Sequence, residues 1–335
     1  MLIEKHVNLK PYNTFAVNIS TDAMIRLDSY ATVTKISAEI RAANKLLVLG
    51  GGSNILFLNN FAGLILKNEF KGIELIRETE KEVLLRIGAG EIWHRLVCYC
   101  VEKGYVGIEN LSLIPGTVGA APIQNIGAYG VELCQVFESL EAIDLTTFNR
   151  ETFYLADCQF GYRDSVFKQR YKDRFLITYV HLKLSKLPNY NLSYPALEAK
   201  LAECSAIDLK SIAQAVIEIR QAKLPDPQQV PNAGSFFKNP IVTKEHFYSL
   251  SASFTNLPCF KVNETAVKIP AAWLIEQCGF KGKRYLHAGV HDKQALVLIN
   301  VNNAPGTEIY NLAKTIRQQV LEKFAIELEY EVNVI

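Results

Sequence analysis

Apolar positions along the first two thirds of the chain change repeatedly between helical and strand spacing. Val33, Ile36, Ile40 and Ala43 fall on one face of a helix, and a short apolar run follows them directly. The pattern predicts helices over Thr32–Asn44 and Trp93–Glu102 and strands over Leu46–Leu49, Val83–Ile87 and Phe175–Leu184. The interleaving of these elements indicates a mixed α and β protein.

The last third continues the mixture, with clearer start and stop signals. Asp208 is expected to cap a helix that runs through Ala222, and Leu224-Pro225-Asp226-Pro227 should end it and mark a domain boundary. Further predicted elements are a helix Pro270–Cys278 with Gly279 as its C-terminal cap, a strand Ala295–Asn300, a helix capped by Thr307 with Ile309, Leu312, Ile316, Val320 and Phe324 on its buried face, and an alternating strand Ile326–Val334.

Composition narrows the class of protein. A chain of 335 residues with 49% hydrophobic and 21% charged residues is typical of a globular protein with two or three domains. Its net charge of +2 gives no electrostatic footprint for nucleic acid or for a membrane surface. The polar N-terminus is unlike a signal peptide, and no apolar run is long enough to span a bilayer. We therefore expect a cytoplasmic protein without membrane insertion.

Cysteine and histidine give no metal signature. The seven cysteines are scattered and form no C-x-x-C pair, so we expect reduced thiols. His287 and His291 are four residues apart, but Gly289 lies between them and no third ligand follows. We interpret both as structural, and we expect no metal site.

Two glycine-rich segments carry the clearest chemistry. Gly50–Asn54 follows a predicted strand, and successive backbone N–H groups in such a loop can bind a phosphate. The segment is neither a G-x-G-x-x-G fingerprint nor a P-loop, because an apolar run resumes after it and no Gly-Lys-Ser/Thr follows. Ile114–Glu132 combines glycines, prolines, Gln124 and Asn125 with one terminal charge, and it can bring bare backbone against a large ligand.

These segments, together with four others, resemble one enzyme family. The strings PIQNIGAYG, FGYRDS, KLPDP, NAGSFFKNP and QALVLIN occur in the order seen in the bacterial flavoenzyme family of UDP-N-acetylenolpyruvoylglucosamine reductases (MurB), and the resemblance covers nearly the whole chain. Tyr194 resembles the substrate-loop tyrosine of the longer subtype. Gly51 and Ala120-Ala121 depart from relatives that often carry a polar or larger residue there, which puts details of flavin hydrogen bonding in question.

The resemblance implies a fold and a cofactor. The fold class is α+β: a vanillyl-alcohol-oxidase (PCMH)-type FAD-binding fold of two subdomains, with the flavin between them, plus a C-terminal α+β substrate-binding domain. The implied division is 1–62, 63–223 with the Tyr194 loop, 224–325, and a C-terminal strand 326–335. The implied FAD-binding residues are Gly50, Gly51, Gly52, Ser53, Asn54, Pro115, Gly116, Gly119, Ala120, Gln124, Asn125, Gly127, Ala128, Tyr129 and Gly130.

The family reaction is reduction of the enolpyruvyl ether of a UDP-sugar by NADPH through FAD, in synthesis of the peptidoglycan precursor. Its product is UDP-N-acetylmuramate. Arg163 is the implied partner of the substrate carboxylate, because a guanidinium stays charged and binds carboxylates through paired N–H groups. Ser235 is the implied proton donor, with backbone donors or Lys238 stabilising its developing charge. Glu331 is the third implied catalytic residue, and its role predicts a raised pKa or a close cation.

The resemblance also implies a substrate pocket that includes Tyr162, Tyr194, Lys223, Asn239 and Gln294. The expected partners are UDP-N-acetylenolpyruvoylglucosamine and NADPH, and we expect a monomer. Another FAD oxidoreductase of the same fold would account for the glycine-rich segments but not for all three catalytic positions. A catalytically silent nucleotide-sugar-binding protein is the alternative from another functional class.

Overall fold

The computed structural model describes residues 3–202, 204 and 206–335. In chain order its strands are β1 Glu4–Asn8, β2 Ser20–Leu27, β3 Leu46–Leu49, β4 Ile55–Leu56, β5 Phe61–Asn68, β6 Ile73–Glu78, β7 Glu82–Gly88, β8 Gly127–Ala128, β9 Val131–Glu132, β10 Phe137–Asp144, β11 Arg150–Tyr154, β12 Phe175–Ser185, β13 Asn232–Ser235, β14 Ile241–Thr243, β15 Phe260–Lys261, β16 Ala266–Lys268, β17 Arg284–Tyr285, β18 Ala288–Val290, β19 Val297–Asn300 and β20 Asn333–Val334.

The helices, also in chain order, are α1 Tyr30–Lys35, α2 Ser37–Ala42, α3 Trp93–Lys103, α4 Leu155–Cys158, α5 Pro195–Leu201, α6 Leu209–Lys223, α7 Lys244–Ser253, α8 Ala271–Gln277 and α9 Gly306–Phe324. Short 3₁₀ turns cover Lys10–Tyr12, Glu109–Leu111, Val118–Ala120 and Leu133–Gln135.

Contacts between residues divide the chain into two compact units. The first comprises Met1–Val7, Thr21–Gly52 and Ala62–Ala222, and the second comprises Asn8–Ser20, Ser53–Phe61 and Lys223–Ile335. The chain therefore passes from one unit to the other inside the Gly50–Asn54 segment. The four-part division implied by the family resemblance stays a prediction.

The first unit contains two sheets with separate apolar cores. One sheet has the strand order β1-β2-β5-β3, and its core packs against α1 and α2. The other has the order β11-β10-β12-β7-β6, in which β10, β12 and β7 pair antiparallel. Its core contains Trp93 and Leu96 of α3, which are both almost completely inaccessible to solvent. The glycine-rich loops lie between these elements along the chain, so the sheets fix where the loops begin and end.

Helix α6 forms as the sequence predicts. Asp208 caps it, with its carboxylate accepting a hydrogen bond of 2.7 Å from the Ser211 amide. Leu209, Ile212 and Val216 are buried, and the stripe packs with α5 and with the side chain of Tyr194. The helix thus supports the segment that carries Tyr194.

The second unit is built around α8, α9 and the sheet β13-β19-β18-β17. Gly279 adopts a φ of 75° directly after the C-cap of α8, as expected for a glycine at that position. The apolar face predicted for α9 is buried from Ile309 to Phe324. The short strand β20 pairs in parallel with β4 and holds the last residues of the chain against the second unit's own segment Ser53–Phe61.

Three sequence predictions need correction. The helix predicted over Thr32–Asn44 is divided into α1 and α2 at Ile36, where the backbone leaves helical geometry. Thr307 is not the cap of α9, because the helix begins at Gly306 after Pro305, whose backbone is extended. Ile326–Val334 is not one strand: its alternation buries Ile326, Leu328 and Val332, but strand pairing is limited to a bridge at Tyr330 and to β20.

No helix within the described part of the chain is long and apolar enough to cross a membrane.

Candidate active site

In the first unit, the end of β3 lies directly against the loop that begins at Gly116. A methyl group added to Gly51 would approach the Gly116 Cα to 2.9 Å, and one added to Gly50 would meet the Thr117 hydroxyl oxygen at 2.5 Å. Both distances are too short for a real side chain. The glycine at position 51, where relatives often carry another residue, is therefore required here by close approach of two backbone segments.

A lysine that sequence reasoning missed lies at this junction. Lys67, near the end of β5, donates a hydrogen bond of 2.9 Å to the Gly50 carbonyl. Burial lowers the pKa of its ammonium group below the ordinary value. Lys67 directly follows the apolar run Leu64–Leu66. This charge at the end of a buried strand is the sequence feature that could have identified Lys67 as a candidate site residue.

The loop after Gly116 is fixed along the segment that precedes α3. The Trp93 amide donates to the Gly116 carbonyl at 3.1 Å, and the Gly119 amide donates to the Ala89 carbonyl at 2.8 Å. A methyl group on Gly119 would stand 2.5 Å from the Ala89 Cβ, so this glycine too is set by close packing. Pro115 and Ala120 are exposed on this loop, and Gln124 is half-buried. In the Gly50–Asn54 segment, Gly52 has a φ of 64°, in the left-handed region.

Strands β8 and β9 form a tight hairpin at the end of the same loop. Tyr129 and Gly130 connect them with φ values of 49° and 82°, the left-handed pair that a two-residue hairpin turn requires. Asn125 braces the hairpin, because its amide donates to the Glu132 carboxylate at 2.9 Å and its oxygen accepts from the Cys134 amide at 3.0 Å. The Asn125 side chain is thus used within the protein, which leaves its backbone for a cofactor.

Arg163 lies on a second tight turn that is tied to this hairpin. Gly161 and Asp164 bridge the turn, and Arg163 has a φ of 54°, in the left-handed region that non-glycine residues rarely adopt. Its guanidinium Nη2 donates to the Gly127 carbonyl at 2.5 Å, and its Cζ lies 5.4 Å from the centre of the Tyr162 ring. The neighbouring Ser165 hydroxyl donates to the Ile123 carbonyl at 2.7 Å. The strained backbone and these bonds hold Arg163 against the flavin-lining loop predicted from the sequence.

Arg220 joins this group, although the sequence analysis did not select it. Its Nε is shielded from solvent and has no hydrogen-bond partner among the described residues. Burial lowers the pKa of the Arg220 guanidinium, the Tyr129 phenol opposes that change, and the charge of Arg163 adds to it. A buried guanidinium with an unsatisfied donor, close to a second arginine, favours an anionic ligand. The sequence feature that could have identified Arg220 is its position four residues after Val216, on the apolar side of α6.

Tyr194 packs within the first unit, and Lys223 ends α6. The Tyr194 ring lies 5.0 Å from the Tyr129 ring in an edge-to-face arrangement, so the predicted substrate tyrosine contacts the predicted flavin-lining hairpin. Tyr162, Tyr194 and Tyr129 are all half-buried. Lys223 is exposed at the last position of α6.

In the second unit, the other two candidate catalytic residues are brought together by the backbone. The Glu331 amide donates to the Phe236 carbonyl at 2.9 Å, and Phe237 and Tyr330 form an isolated antiparallel bridge. Ser235, the last residue of β13, therefore lies one residue from the position that is hydrogen bonded to Glu331. The aromatic rings of Phe236, Phe237 and Tyr330 pack on one another beneath this crossing.

Asn54 fixes the other side of Glu331. Its side-chain amide donates to the Glu331 carbonyl at 3.2 Å, and its own carbonyl accepts from the Asn333 amide at 3.1 Å. The Glu331 peptide is thus held from both sides within one unit, by Phe236 and by Asn54. Asn54 is the last residue of the predicted phosphate-binding segment Gly50–Asn54. The same segment therefore also holds the peptide of a predicted catalytic residue.

Three further residues of the second unit have defined local roles. The Asn239 side-chain oxygen accepts a hydrogen bond of 2.9 Å from the Ala271 amide at the start of α8. Gln294 begins the turn into β19, where its side-chain oxygen accepts from the Leu296 amide at 3.4 Å and the Phe236 amide donates to the Leu296 carbonyl at 2.8 Å. Lys238 pairs with Glu329 at 2.9 Å, so its ammonium is engaged away from the role considered for it beside Ser235.

His287 and His291 each contact an acid. His287 lies 3.2 Å from the Glu308 carboxylate, and His291 lies 3.2 Å from the Asp292 carboxylate. Within residues 3–202, 204 and 206–335, no group of three or more histidine, cysteine, aspartate or glutamate side chains is arranged to hold a metal ion.

Comparisons with known proteins identify the domains of the chain and its family. Residues 226–335 match the model of the UDP-N-acetylenolpyruvoylglucosamine reductase C-terminal domain, and residues 21–147 match an FAD binding domain. The chain is 46% identical to the UDP-N-acetylenolpyruvoylglucosamine reductase of Flavobacterium johnsoniae, with 100% of both chains covered. It is 40% identical to the reductase of Bacteroides fragilis strain YCH46, covering 99% of this chain and 100% of that protein.

Solved structures give the same fold. The reductase (MurB) of Thermus caldophilus superposes with a TM-score of 0.70 at 23% identity, covering 100% of this chain and 99% of that one. p-Cresol methylhydroxylase superposes with a TM-score of 0.50 at 10% identity, covering 95% of this chain and 82% of that one. These likenesses confirm the predicted FAD-binding fold of the p-cresol methylhydroxylase type with a C-terminal reductase domain. The chain belongs to the UDP-N-acetylenolpyruvoylglucosamine reductase (MurB) family.

Proposed function

We propose that this protein uses NADPH and bound FAD to reduce the enolpyruvyl ether of UDP-N-acetylenolpyruvoylglucosamine to UDP-N-acetylmuramate. The observation that carries the proposal is the 2.9 Å hydrogen bond from the Glu331 amide to the Phe236 carbonyl, which fixes Glu331 beside the segment that bears Ser235. Another FAD oxidoreductase of the same fold would account for the glycine-rich segments but not for Arg163, Ser235 and Glu331 at all three family positions.

The residues of the first unit fit FAD. Gly50 and Gly51 leave only backbone where any side chain would collide, which suits a pyrophosphate bound by N–H groups. Lys67 adds a positive charge beside Gly50. The stretch Pro115–Gly130 offers an uncharged peptide wall for a flat ring system. When bound, FAD supplies the hydride chemistry that couples NADPH oxidation to reduction of the substrate double bond.

Arg163 and Arg220 are the groups we assign to negative charge. Reduction at the terminal enolpyruvyl carbon places charge on the neighbouring carbon and on the substrate carboxylate. Arg163 is fixed by its bond to Gly127 and stays protonated, so it can hold that carboxylate in one orientation. Arg220 brings a second guanidinium with an unsatisfied Nε to the same unit. Two close cations favour the intermediate, which carries one more negative charge than the bound substrate.

Ser235 and Glu331 are the groups we assign to the proton. Ser235 donates a proton to the carbon next to the carboxylate, and Glu331 stabilises the intermediate or assists the transfer. A serine is a weak acid, so the step depends on a basic intermediate and on donors that stabilise the serine oxygen. Lys238 is paired with Glu329, which leaves backbone N–H groups for that task.

Tyr162, Tyr194, Lys223, Asn239 and Gln294 complete the proposal as substrate-binding residues. Asn239 uses its side-chain oxygen to cap α8, so its amide hydrogens are the part we assign to the substrate. The four-part domain division, the monomeric state and the cytoplasmic location belong to the same proposal.

A steady-state assay tests the function directly. NADPH consumption by the purified flavoprotein should depend on UDP-N-acetylenolpyruvoylglucosamine, and mass spectrometry should show a product two hydrogens heavier. Flavin-dependent NADPH oxidation that oxygen supports equally well without the sugar would favour another oxidoreductase of this fold. Binding of the sugar without any NADPH consumption would favour a silent nucleotide-sugar-binding protein.

A further inference from the structure

The hairpin turn at Tyr129-Gly130 is held by two asparagines that no assigned role includes. The Asn110 side-chain amide donates to the Tyr129 carbonyl at 2.8 Å, and the Asn191 side-chain amide donates to the Gly130 carbonyl at 2.9 Å. Both carbonyls of the left-handed turn are therefore bound by side-chain amides. Asn191 belongs to the segment that leads to Tyr194, only three residues further on.

Asn110 also binds that segment. The same Nδ2 donates a second hydrogen bond of 2.8 Å to the Asn191 carbonyl. A primary amide has two hydrogens, and here one goes to each of two functional loops. The Asn110 oxygen has no partner among the described residues, so the two amide bonds are the polar contacts that the structure gives this side chain. One planar group thus sets the separation of the hairpin turn and the Tyr194 segment.

The position of Asn110 makes it a fixed point. The residue is 0% exposed and lies in the 3₁₀ turn Glu109–Leu111. The Trp93 indole donates to the Leu111 carbonyl at 3.0 Å, and the Glu109 carboxylate accepts from the Gly107 amide at 2.7 Å. Asn191, in contrast, is only half-buried. Asn110 is therefore fixed by the core, and the hairpin turn and the Tyr194 segment are positioned by their bonds to Asn110.

We propose that Asn110 is a positioning residue for substrate binding, which latches the Tyr194 segment to the flavin-lining hairpin and so fixes where the Tyr194 hydroxyl is presented. The inference rests on the proposed function only for the identity of the substrate. The edge-to-face contact of Tyr129 and Tyr194, with ring centres 5.0 Å apart, is the aromatic part of the same latch. With the Asn110 bridge lost, the ring contact and the Asn191 bond to the Gly130 carbonyl remain, but neither ties the Tyr194 segment to the buried 3₁₀ turn.

The test compares Asn110→Leu with the wild-type flavoprotein. Leucine keeps the branched shape and the number of side-chain heavy atoms and removes both donors. We expect the amides of residues 189–194 to exchange with deuterium at least about tenfold faster, and the Kd for UDP-N-acetylenolpyruvoylglucosamine to rise about tenfold, equivalent to ~1.4 kcal/mol. The rate of flavin reduction by NADPH should change by a smaller factor than the Kd for the sugar, because the hairpin keeps the bonds from Asn125 and Asn191.

Asn68→Leu is the matched control. Asn68 is also buried in the first unit, where its amide donates to the Ile177 carbonyl at 2.7 Å, away from the two loops. It should lower the melting temperature without changing exchange at 189–194. A second variant, Asn191→Ala, removes the exposed link to Gly130 and keeps the test available if Asn110→Leu does not fold. It should move the same two readouts in the same direction by a smaller factor.

A double-mutant cycle separates positioning from a general structural role. If Asn110 acts through Tyr194, the Kd of Asn110→Leu/Tyr194→Phe should be close to that of Asn110→Leu alone. Fully additive losses of affinity in the double variant would overturn the proposal. So would loop exchange and sugar affinity that stay at wild-type values in Asn110→Leu. If Asn110→Leu does not fold, unchanged loop exchange and sugar affinity in Asn191→Ala would overturn it. A wild-type protein that does not bind the sugar would contradict the proposed function, while the exchange comparison would still decide whether the latch exists.

Discussion

At the scale of single residues, the candidate chemistry depends on bonds to backbone groups. The Arg163 guanidinium donates to the Gly127 carbonyl, and the Glu331 peptide is held by the Phe236 carbonyl and the Asn54 side-chain amide. These bonds fix the guanidinium of Arg163 directly, and they fix the backbone from which the Glu331 carboxylate extends. Such placement lowers the cost of organising the site for the reaction.

Ser235→Ala is predicted to separate the two half-reactions. Reduction of the flavin by NADPH should be nearly unchanged, because Ser235 has no part in it. Reoxidation by the enolpyruvyl sugar should slow by a factor on the order of 10²–10⁴, the usual contribution of a positioned acid. Rapid-mixing absorbance of each half-reaction measures both rates.

The control for this variant is Ser251→Ala, which removes a hydroxyl on α7 that donates to the Tyr248 carbonyl of the same helix. It should leave both rates at their wild-type values. Equal losses in the two half-reactions of Ser235→Ala would contradict its assignment as proton donor.

At the scale of elements, the second unit's Ser53–Phe61 segment holds the C-terminal tail, residues 331–335, which carries the candidate catalytic residue Glu331. Strand β4 pairs with β20, and the Ile335 amide donates to the Leu56 carbonyl at 2.9 Å. Asn54 adds the contact to Glu331. The strand pairing is short, with Asn333 opposite Ile55 and Val334 opposite Leu56, so a side-chain bond beside it has a large effect on local opening.

Asn54→Ala is predicted to loosen this tail even without cofactor. Deuterium exchange at Asn333 and Ile335 should quicken severalfold, because the Glu331 carbonyl loses its partner. Asn60→Ala, in the same segment, removes an acceptor of the Ser20 amide and should leave tail exchange unchanged. Exchange of Asn333 and Ile335 at the wild-type rate in Asn54→Ala would show that the Asn54 side chain does not hold the Glu331 peptide in place.

A polar cluster on the larger sheet of the first unit makes stability depend on acidity. Arg86 contacts the Glu141 carboxylate through two nitrogens at 2.6 and 3.0 Å, and Tyr30 and His181 also bond to it. Burial raises the Glu141 pKa, but the bond to Arg86 and those from Tyr30 and His181 outweigh burial and lower it to about 2. The cluster therefore stabilises the fold above the ordinary glutamate pKa, and this stability is lost as the pH falls towards 2.

Glu141→Gln should lower the free energy of unfolding at pH 7 by about 1–2 kcal/mol, a value discounted for partial exposure. It should also flatten the decline of stability between about pH 4.5 and pH 2. Glu138→Gln, on the same strand with Lys183 at 3.8 Å, should change neither. Denaturant unfolding followed by circular dichroism measures this, and an acid decline of wild-type slope in Glu141→Gln would contradict the assignment.

Periodic sequence patterns predict the long elements well and the irregular ones poorly. The stripe of α6 and the buried face of α9 follow from apolar spacing, because burial of one face decides both. The broken strand before β20 depends on tertiary hydrogen bonds that apolar spacing does not encode, and the division at Ile36 interrupts a helix whose apolar face continues across it. Glycine-rich segments indicate a cofactor site, since few other uses need so much bare backbone. Asn110, whose role depends on two remote carbonyls, has no such signal.

At the scale of the whole molecule, the candidate catalytic residues belong to different compact units. Arg163 and Arg220 lie in the first, and Ser235 and Glu331 lie in the second. In the proposed reaction the first set is assigned to negative charge and the second to the proton. We expect this protein to complete two redox half-reactions, one with NADPH and one with the enolpyruvyl sugar.

Anaerobic stopped-flow absorbance tests that claim most directly. The purified flavoprotein is first reduced with NADPH and then mixed with UDP-N-acetylenolpyruvoylglucosamine while the oxidised-flavin band is followed. The account predicts bleaching by NADPH and then rapid recovery of the band with stoichiometric UDP-N-acetylmuramate. Bleaching without recovery, or a protein that binds no FAD, would contradict it.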